Sequence, residues 1–503
     1  MKILKELIGL LPPSKIKKIQ LIGQDLDSDT KLGALYYAIL DNEVASDTDA
    51  SKLLYNDVPK SAAYLKLKQR LRERLLNTLF FIDVNTARFA DYGTAMANCH
   101  QEYALVKLLL SKYARNSAIW LAEHLFEQTM KYEFTELNYL ISSDLMNHYG
   151  LLELDRKKFN YYKSFNEDAK KNLDAEHRAA QALSLISFIK IDSRKDKKSD
   201  YKDFFEVMGK LDGLFPDIAT TRFLLYYSNV KSSYYSDIKN YHGIIQLADD
   251  VLYLVDQKSF KNRTLIYSLN VKKMNSHFNL GELTKAINIA EEAKNHTKPY
   301  TQNWYIATYY KCLFLLHLKD YKGATKILDE TISKDNAKYL SPILKEYWLT
   351  IQAYVELLKV FGKIETEDKK SIFRVQKFIN DVPVYQKEKQ GRKVAVLLVQ
   401  LMFFLGRNEY GKYIDRLEAL QQYRRRHLGE ANTFRANCII KMMTKVGKLS
   451  FHPVRVIAHT KKDLNTLSSM TPEFSNSSAD VEIIPYEDLW QMVLEMLEKN
   501  LKN

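Results

Sequence analysis

The feature that most constrains this chain is a helical hairpin that recurs along it. The stretch "LLHLKDYKGATKILDE", Leu315 to Glu330, reads as the end of one helix, a polar turn at Lys319-Asp320, and a second helix with Tyr321, Ala324 and Leu328 on one face. The same order returns in "FNLGELTKAINIAEE" with Leu283 and Ala286, in "SDIKNYHGIIQLADD" with Tyr241 and Ile244, and in "KKSDYKDFFEVM" with Tyr201 and Phe204. It returns again in "ELDRKKFNYYKSF" with Phe159, in "LGRNEYGKYIDRLEAL" with Tyr410, and more weakly in "ARNSAIWLAEHLFE" near Ser117. The anchors at 117, 159, 201, 241, 283, 321 and 410 are separated by 42, 42, 40, 42, 38 and 89 residues, the last about two periods. A degenerate copy is expected around Ser371. A period of about 40 residues marks stacked helical hairpins.

A hairpin of this kind cannot bury its apolar stripe alone, so each leans on its neighbours. The alanines let two helices approach closely, and most of the 33 Tyr and 23 Phe fill the seams between hairpins. With only 16 Gly and 10 Pro in 503 residues, helix breakers are scarce and a large sheet is not expected. Hydrophobic content of 46% and charged content of 27% fit a folded, soluble chain rather than a disordered one.

In the copies at Leu283 and Tyr321, "NLGELTKAI" and "HLKDYKGAT" resemble the tetratricopeptide repeat (TPR), with Tyr309-Tyr310 in the preceding helix. The likeness is clearest over about residues 265–335 and only periodic elsewhere. The usual period of that family is 34 residues, so helices or loops here are longer. The resemblance implies an all-α, TPR-like α-solenoid of about eight hairpins that acts through protein–protein interaction.

Three regions follow. Residues 1–92 form an N-terminal helical module, 93–450 the TPR-like solenoid, and 451–503 a C-terminal linker with an acidic capping helix. In the first, "KSAAYLKLKQRLRERLLNTLFFI" predicts a long helix with Ser61 as N-cap and Leu67, Leu71, Leu75, Leu76 and Leu79 on its apolar side. Lys66, Lys68, Arg70, Arg72 and Arg74 lie on the other faces, and Lys66, Arg70 and Arg74 form a secondary basic helix surface. "VPKSAAYLKLKQRLRERLL" resembles a stretch of bacterial activators that join a winged-helix module to helical repeats. The module reads as either that fold, with phosphate contacts, or a capping bundle; residues 1–90 carry 14 basic and 11 acidic residues.

Charge is regional. Lys387 to Lys462 holds 17 Lys/Arg against 5 Asp/Glu, whereas Asp463 to the end holds 8 acids against 2 Lys. Arg424, Arg425 and Arg426 precede Gly429, where cations complement a helix C-terminus. With Lys393, Arg435, Lys441, Lys445 and Lys448 they would make one basic patch for an acidic protein partner or a nucleic acid. The helix with Leu489, Trp490, Val493, Leu494 and Leu497 either folds back as a cap or is offered to another protein's groove.

No phosphate loop, GxGxxG after a strand, HExxH or GxSxG is present. His100, His124 and His317 stand without a second ligand at suitable spacing, so no metal or cofactor is expected and no catalytic residue is assigned. Cys99, Cys312 and Cys438 form no disulfide framework, the N-terminus is not a signal peptide, and no membrane span is expected. The expected role is a non-enzymatic cytoplasmic scaffold or adaptor for a protein or peptide. The alternatives are a nucleic-acid-associated regulator using the basic 387–462 surface, or a peptide-sensing regulator.

Overall fold

A computed structural model describes residues 30–55, 62–81, 91–191, 198–333, 339–364, 378, 393–427, 434–472 and 481–502. These residues form twenty α-helices and no strand. The chain divides into two compact units, Met1–His177 and Arg178–Asn503, each taken separately below. The Ser61 cap and the degenerate copy around Ser371 lie outside the described residues.

The first unit begins with α1 (Lys31–Leu40), α2 (Asp47–Tyr55) and α3 (Ala62–Phe81). Thr30 caps α1 by accepting the Gly33 N–H at 3.0 Å. Leu32, Leu35, Ala50, Tyr64 and Leu71 make the core of this group. On its flank Asp47 accepts from Tyr64 at 2.8 Å and from Lys68 at 2.6 Å. Then come α4 (Asp91–Ser111), α5 (Arg115–Tyr132), α6 (Thr135–Leu151) and the 36-residue α7 (Arg156–Ile191), inside which the division falls. Their core contains Cys99, Val106, Leu125, Ile141, Leu145 and Tyr149.

The second unit continues with α8 (Lys198–Asp212), α9 (Thr221–Asp237), α10 (Tyr241–Asp256), α11 (Arg263–Asn279), α12 (Leu283–Asn295), α13 (Gln302–His317) and α14 (Tyr321–Ile332). It ends with α15 (Pro342–Val360), α16 (Lys393–Gly406), α17 (Tyr410–His427), α18 (Phe434–Lys448), α19 (Pro453–Ser468) and α20 (Tyr486–Lys502). From α9 onward each helix packs on the next, the arrangement of a helical repeat. Tyr241, Leu283, Tyr321 and Tyr410 each open the second helix of a pair.

The turns share one geometry. Lys239, Gly281, Lys319, Gly362 and Asn408 all adopt a left-handed backbone, with φ between 56° and 77°. At Gly281 that twist lets its N–H reach Phe278 O at 2.9 Å while the Glu282 N–H reaches His277 O at 2.8 Å. At Lys319 and Asp320 the corresponding bonds are 3.2 and 2.9 Å, to Leu316 O and Leu315 O. Such paired bonds satisfy the last carbonyls of a helix and reverse the chain. Asn240 and Asp320 then cap the next helix, each accepting at 2.9 Å from Gly243 N or Gly323 N. The left-handed residues recur every 38 to 46 residues, longer than a 34-residue repeat.

One apolar cluster runs from α11 to α20, with Tyr305, Tyr309, Phe314, Trp348 and Tyr354 fully buried. Tyrosines tie helices together as well as filling space: Tyr354 donates to Ala395 O and Tyr413 to Met443 O, both at 2.9 Å. The last helix folds back onto α16, α18 and α19, burying Leu489, Trp490, Val493 and Leu497. Asn500 donates to Leu405 O at 3.0 Å, satisfying a carbonyl near the end of α16, and Lys319 pairs with Asp488 at 2.9 Å.

Candidate functional site

In the second unit a groove opens over the first helices of three successive hairpins, α9, α11 and α13. On α9, Asn229, Ser232, Ser233 and Ser236 recur at helical spacing and so share one stripe. On α11, Ser268, Lys272, Asn275, Ser276 and Asn279 do the same, and α13 adds Asn303, Ile306 and Tyr310. α11 also carries Leu265, Leu269 and Phe278, which are buried, as are Asn275, Ser276 and Asn279. The cavity between the three helices measures about 690 Å³, within the range of ligand sites.

Lys272 is the one cation among the residues that line this groove, and none of those residues is acidic. Its side chain is half-buried, and its amine donates to Ser268 Oγ at 2.8 Å, with Ser268 O at 3.5 Å. Burial alone, with no carboxylate to offset it, pulls the amine down to about 8. The next residue behaves differently: Lys273 pairs with Asp249 at 2.6 Å. Ser232 is only 6% exposed, and its hydroxyl has no hydrogen-bond partner among the described residues. Burial also pushes the Tyr267 phenol above its ordinary range, with a smaller contribution from Tyr310.

The basic residues singled out in the sequence differ in exposure and pairing. Arg425, Lys441 and Lys448 are exposed, and Arg424 is half-buried. Lys393 opens α16 and Arg426 lies in the last turn of α17; their side chains are outside the described residues. Arg435 does not belong to a surface at all. It is 8% exposed, forks onto Glu482 at 3.0 and 2.7 Å, and also reaches Glu487 at 2.7 Å. Lys445 is matched by Asp463 at 2.6 Å. In the first unit Lys66 and Arg70 are exposed on α3, whereas Arg74 is buried. A formal charge summed along the chain overlooks such pairing, because the acids that neutralise Arg435 come from a segment counted separately.

His100 and His124 are exposed, and His124 lies parallel to Trp120. His317 is buried and hydrogen-bonded through Nε2 to Glu482 O at 2.7 Å. Among the described residues no cluster of His, Cys, Asp and Glu is arranged to hold a metal, and the three cysteines are buried and unpaired. No described helix is long and apolar enough to cross a membrane.

The sequence reading missed the groove. Its signal was the run of Ser and Asn at positions 229–236 and 268–279, polar residues at a helical spacing in helices that also carry core leucines. Comparison with protein-family models, with curated proteins and with solved structures finds no match.

Proposed function

We propose that this protein is a non-enzymatic cytoplasmic scaffold or adaptor that holds a peptide segment of a partner protein in the groove of α9, α11 and α13. The observation that carries the reading is the lining itself. Asn229, Asn275, Asn279 and Asn303, spread over three hairpins, each bring an amide that can both donate and accept. An extended peptide backbone presents the same two groups at every residue, so amide side chains along a groove suit it without dictating its sequence. The hairpins with the TPR-like residues Leu283 and Tyr321 adjoin this groove, which supports a kinship in mode of action as well as in pattern.

The test is binding of a randomised hexapeptide pool to the purified protein, followed by anisotropy. Saturable binding is expected, and Ser268→Trp, which fills the groove, is expected to abolish it. Peptides that bind both forms equally would sink the reading.

The alternative, a nucleic-acid-associated regulator using the basic 387–462 surface, has less support because Arg435 and Lys445 are matched by carboxylates. It retains Arg425, Lys441 and Lys448, which are exposed. It requires binding to generic DNA or RNA that weakens steeply with salt and falls when Arg424, Arg425 and Arg426 become Ala.

A further inference from the structure

Ser and Asn side chains recur in the groove lining, yet its charge is unbalanced: Lys272 faces no acid among the residues lining it. An ammonium has three N–H donors, and Ser268 is the acceptor this one has found. Holding a cation half-buried without a counter-ion costs stability, and side chains that carry such a cost are concentrated where a ligand supplies the missing charge. From these observations we infer that the peptide bound in this groove places a carboxylate on Lys272, so that the site recognises an acidic group and not merely a peptide backbone. This rests on the peptide-groove reading above.

The class of anion follows from the number of charges. A phosphate carries nearly two negative charges at neutral pH and is ordinarily held by an arginine fork, several cations or a helix N-terminus. A single lysine matches the single charge of a carboxylate. Ser268 would hold the amine in place while its remaining donors turn to the ligand. The buried Ser232 hydroxyl, on the facing α9 stripe, offers a further donor or acceptor to the same ligand. The carboxylate has two sources, the end of a chain or an Asp or Glu side chain, and the measurement below separates them.

Four probes suffice: acetyl-tetra-alanine with a free carboxylate, its carboxamide, the carboxamide peptide acetyl-Ala-Glu-Ala-Ala, and acetate. Each is titrated against the full chain at pH 7 while reductive dimethylation of Lys272 is followed by mass spectrometry. At least one acidic peptide is expected to bind about tenfold tighter than the neutral one and to shield Lys272. Which of the two does so names the source. In Lys272→Met the preference is expected to vanish; removing a buried charge should leave the fold intact, which thermal melting checks. If the acidic and neutral peptides bind alike, the carboxylate inference is overturned and the peptide groove stands. If acetate binds as well as the acidic peptides, Lys272 is an anion site and the peptide reading falls. If no probe binds at millimolar concentration, both fall.

Discussion

Arg435 on α18 and Glu482, 47 residues later, form a two-bond fork at 3.0 and 2.7 Å inside the second unit. The same guanidinium bonds Glu487 at 2.9 and 2.7 Å and the carbonyls of Leu467 and Met470 at 2.8 and 2.5 Å. Burial pushes the Glu482 carboxyl up. The guanidinium, and the Tyr486 N–H at 2.6 Å, oppose that shift without cancelling it. Burial likewise works against the charge of Arg435, and the bonds to Glu482 and Glu487 more than offset it.

Removing one partner strands the other. Arg435→Met is expected to cost about 3–5 kcal/mol in urea unfolding, because Glu482 is left buried without its cation. The double change Arg435→Met with Glu482→Leu should recover much of that loss, since an apolar pair has no charge to desolvate. A double variant no more stable than the single one would show that the cost comes from packing around α18.

His317 makes the same region sensitive to acid. Burial pulls its pKa down to about 4 from an ordinary 6.5, and the Arg435 guanidinium adds to this, while the bond to Glu482 O works the other way. The unfolded chain therefore takes up the proton first as pH falls. Stability is full above 6.5 and is lost progressively toward 4, by about 3 kcal/mol at most. Melting curves between pH 4 and 7 should show this loss in the native protein and a shallower one in His317→Gln.

Lys272 predicts the opposite end of the scale. Its amine titrates at about 8 when folded and near 10.5 when unfolded, so the unfolded chain holds the extra proton between those values. Stability is expected to climb by about 1–3 kcal/mol as pH rises through that window. Lys272→Met should lack the climb and be the more stable protein at pH 7. Parallel pH profiles of the two proteins would contradict the reading of Lys272 as a desolvated amine.

Two glycines in the turns are needed for different reasons. At Gly281 the space is open but φ is 77°, so Gly281→Ala costs only backbone strain, about 1 kcal/mol. At Gly323 the backbone is helical, and an added Cβ would stand 2.5 Å from Asp320 Oδ2. Gly323→Ala should displace the cap and cost about 1 kcal/mol, whereas in Asp320→Ala the same glycine change should be neutral or stabilising. Thermal melting of the four proteins distinguishes strain from crowding.

Much of the helical order was legible in the sequence. Tyr241, Leu283, Tyr321 and Tyr410 could be found from spacing because each opens a helix right after a left-handed turn, a place with strict local requirements. The fold-back of Trp490 and Leu497 was likewise readable from an amphipathic pattern, although only the structure distinguishes it from an exported motif. The groove was not legible, because no single segment contains it. Asn229, Lys272 and Asn303 come from three hairpins, and only stacking brings their stripes together. Nor could a count of charges show that Arg435 is enclosed, since its partners lie beyond the basic region.

A groove floored by the first helices of three hairpins acts as a caliper on the spacing between them. In a stacked array stability is transmitted chiefly between neighbours, so distant hairpins can open independently. A ligand lying across α9, α11 and α13 adds a direct strut between the outer two. Occupancy would then appear as hydrogen-exchange protection over roughly 100 consecutive residues rather than at the contact points alone, and a partner holding one short segment would stiffen three repeats as a block.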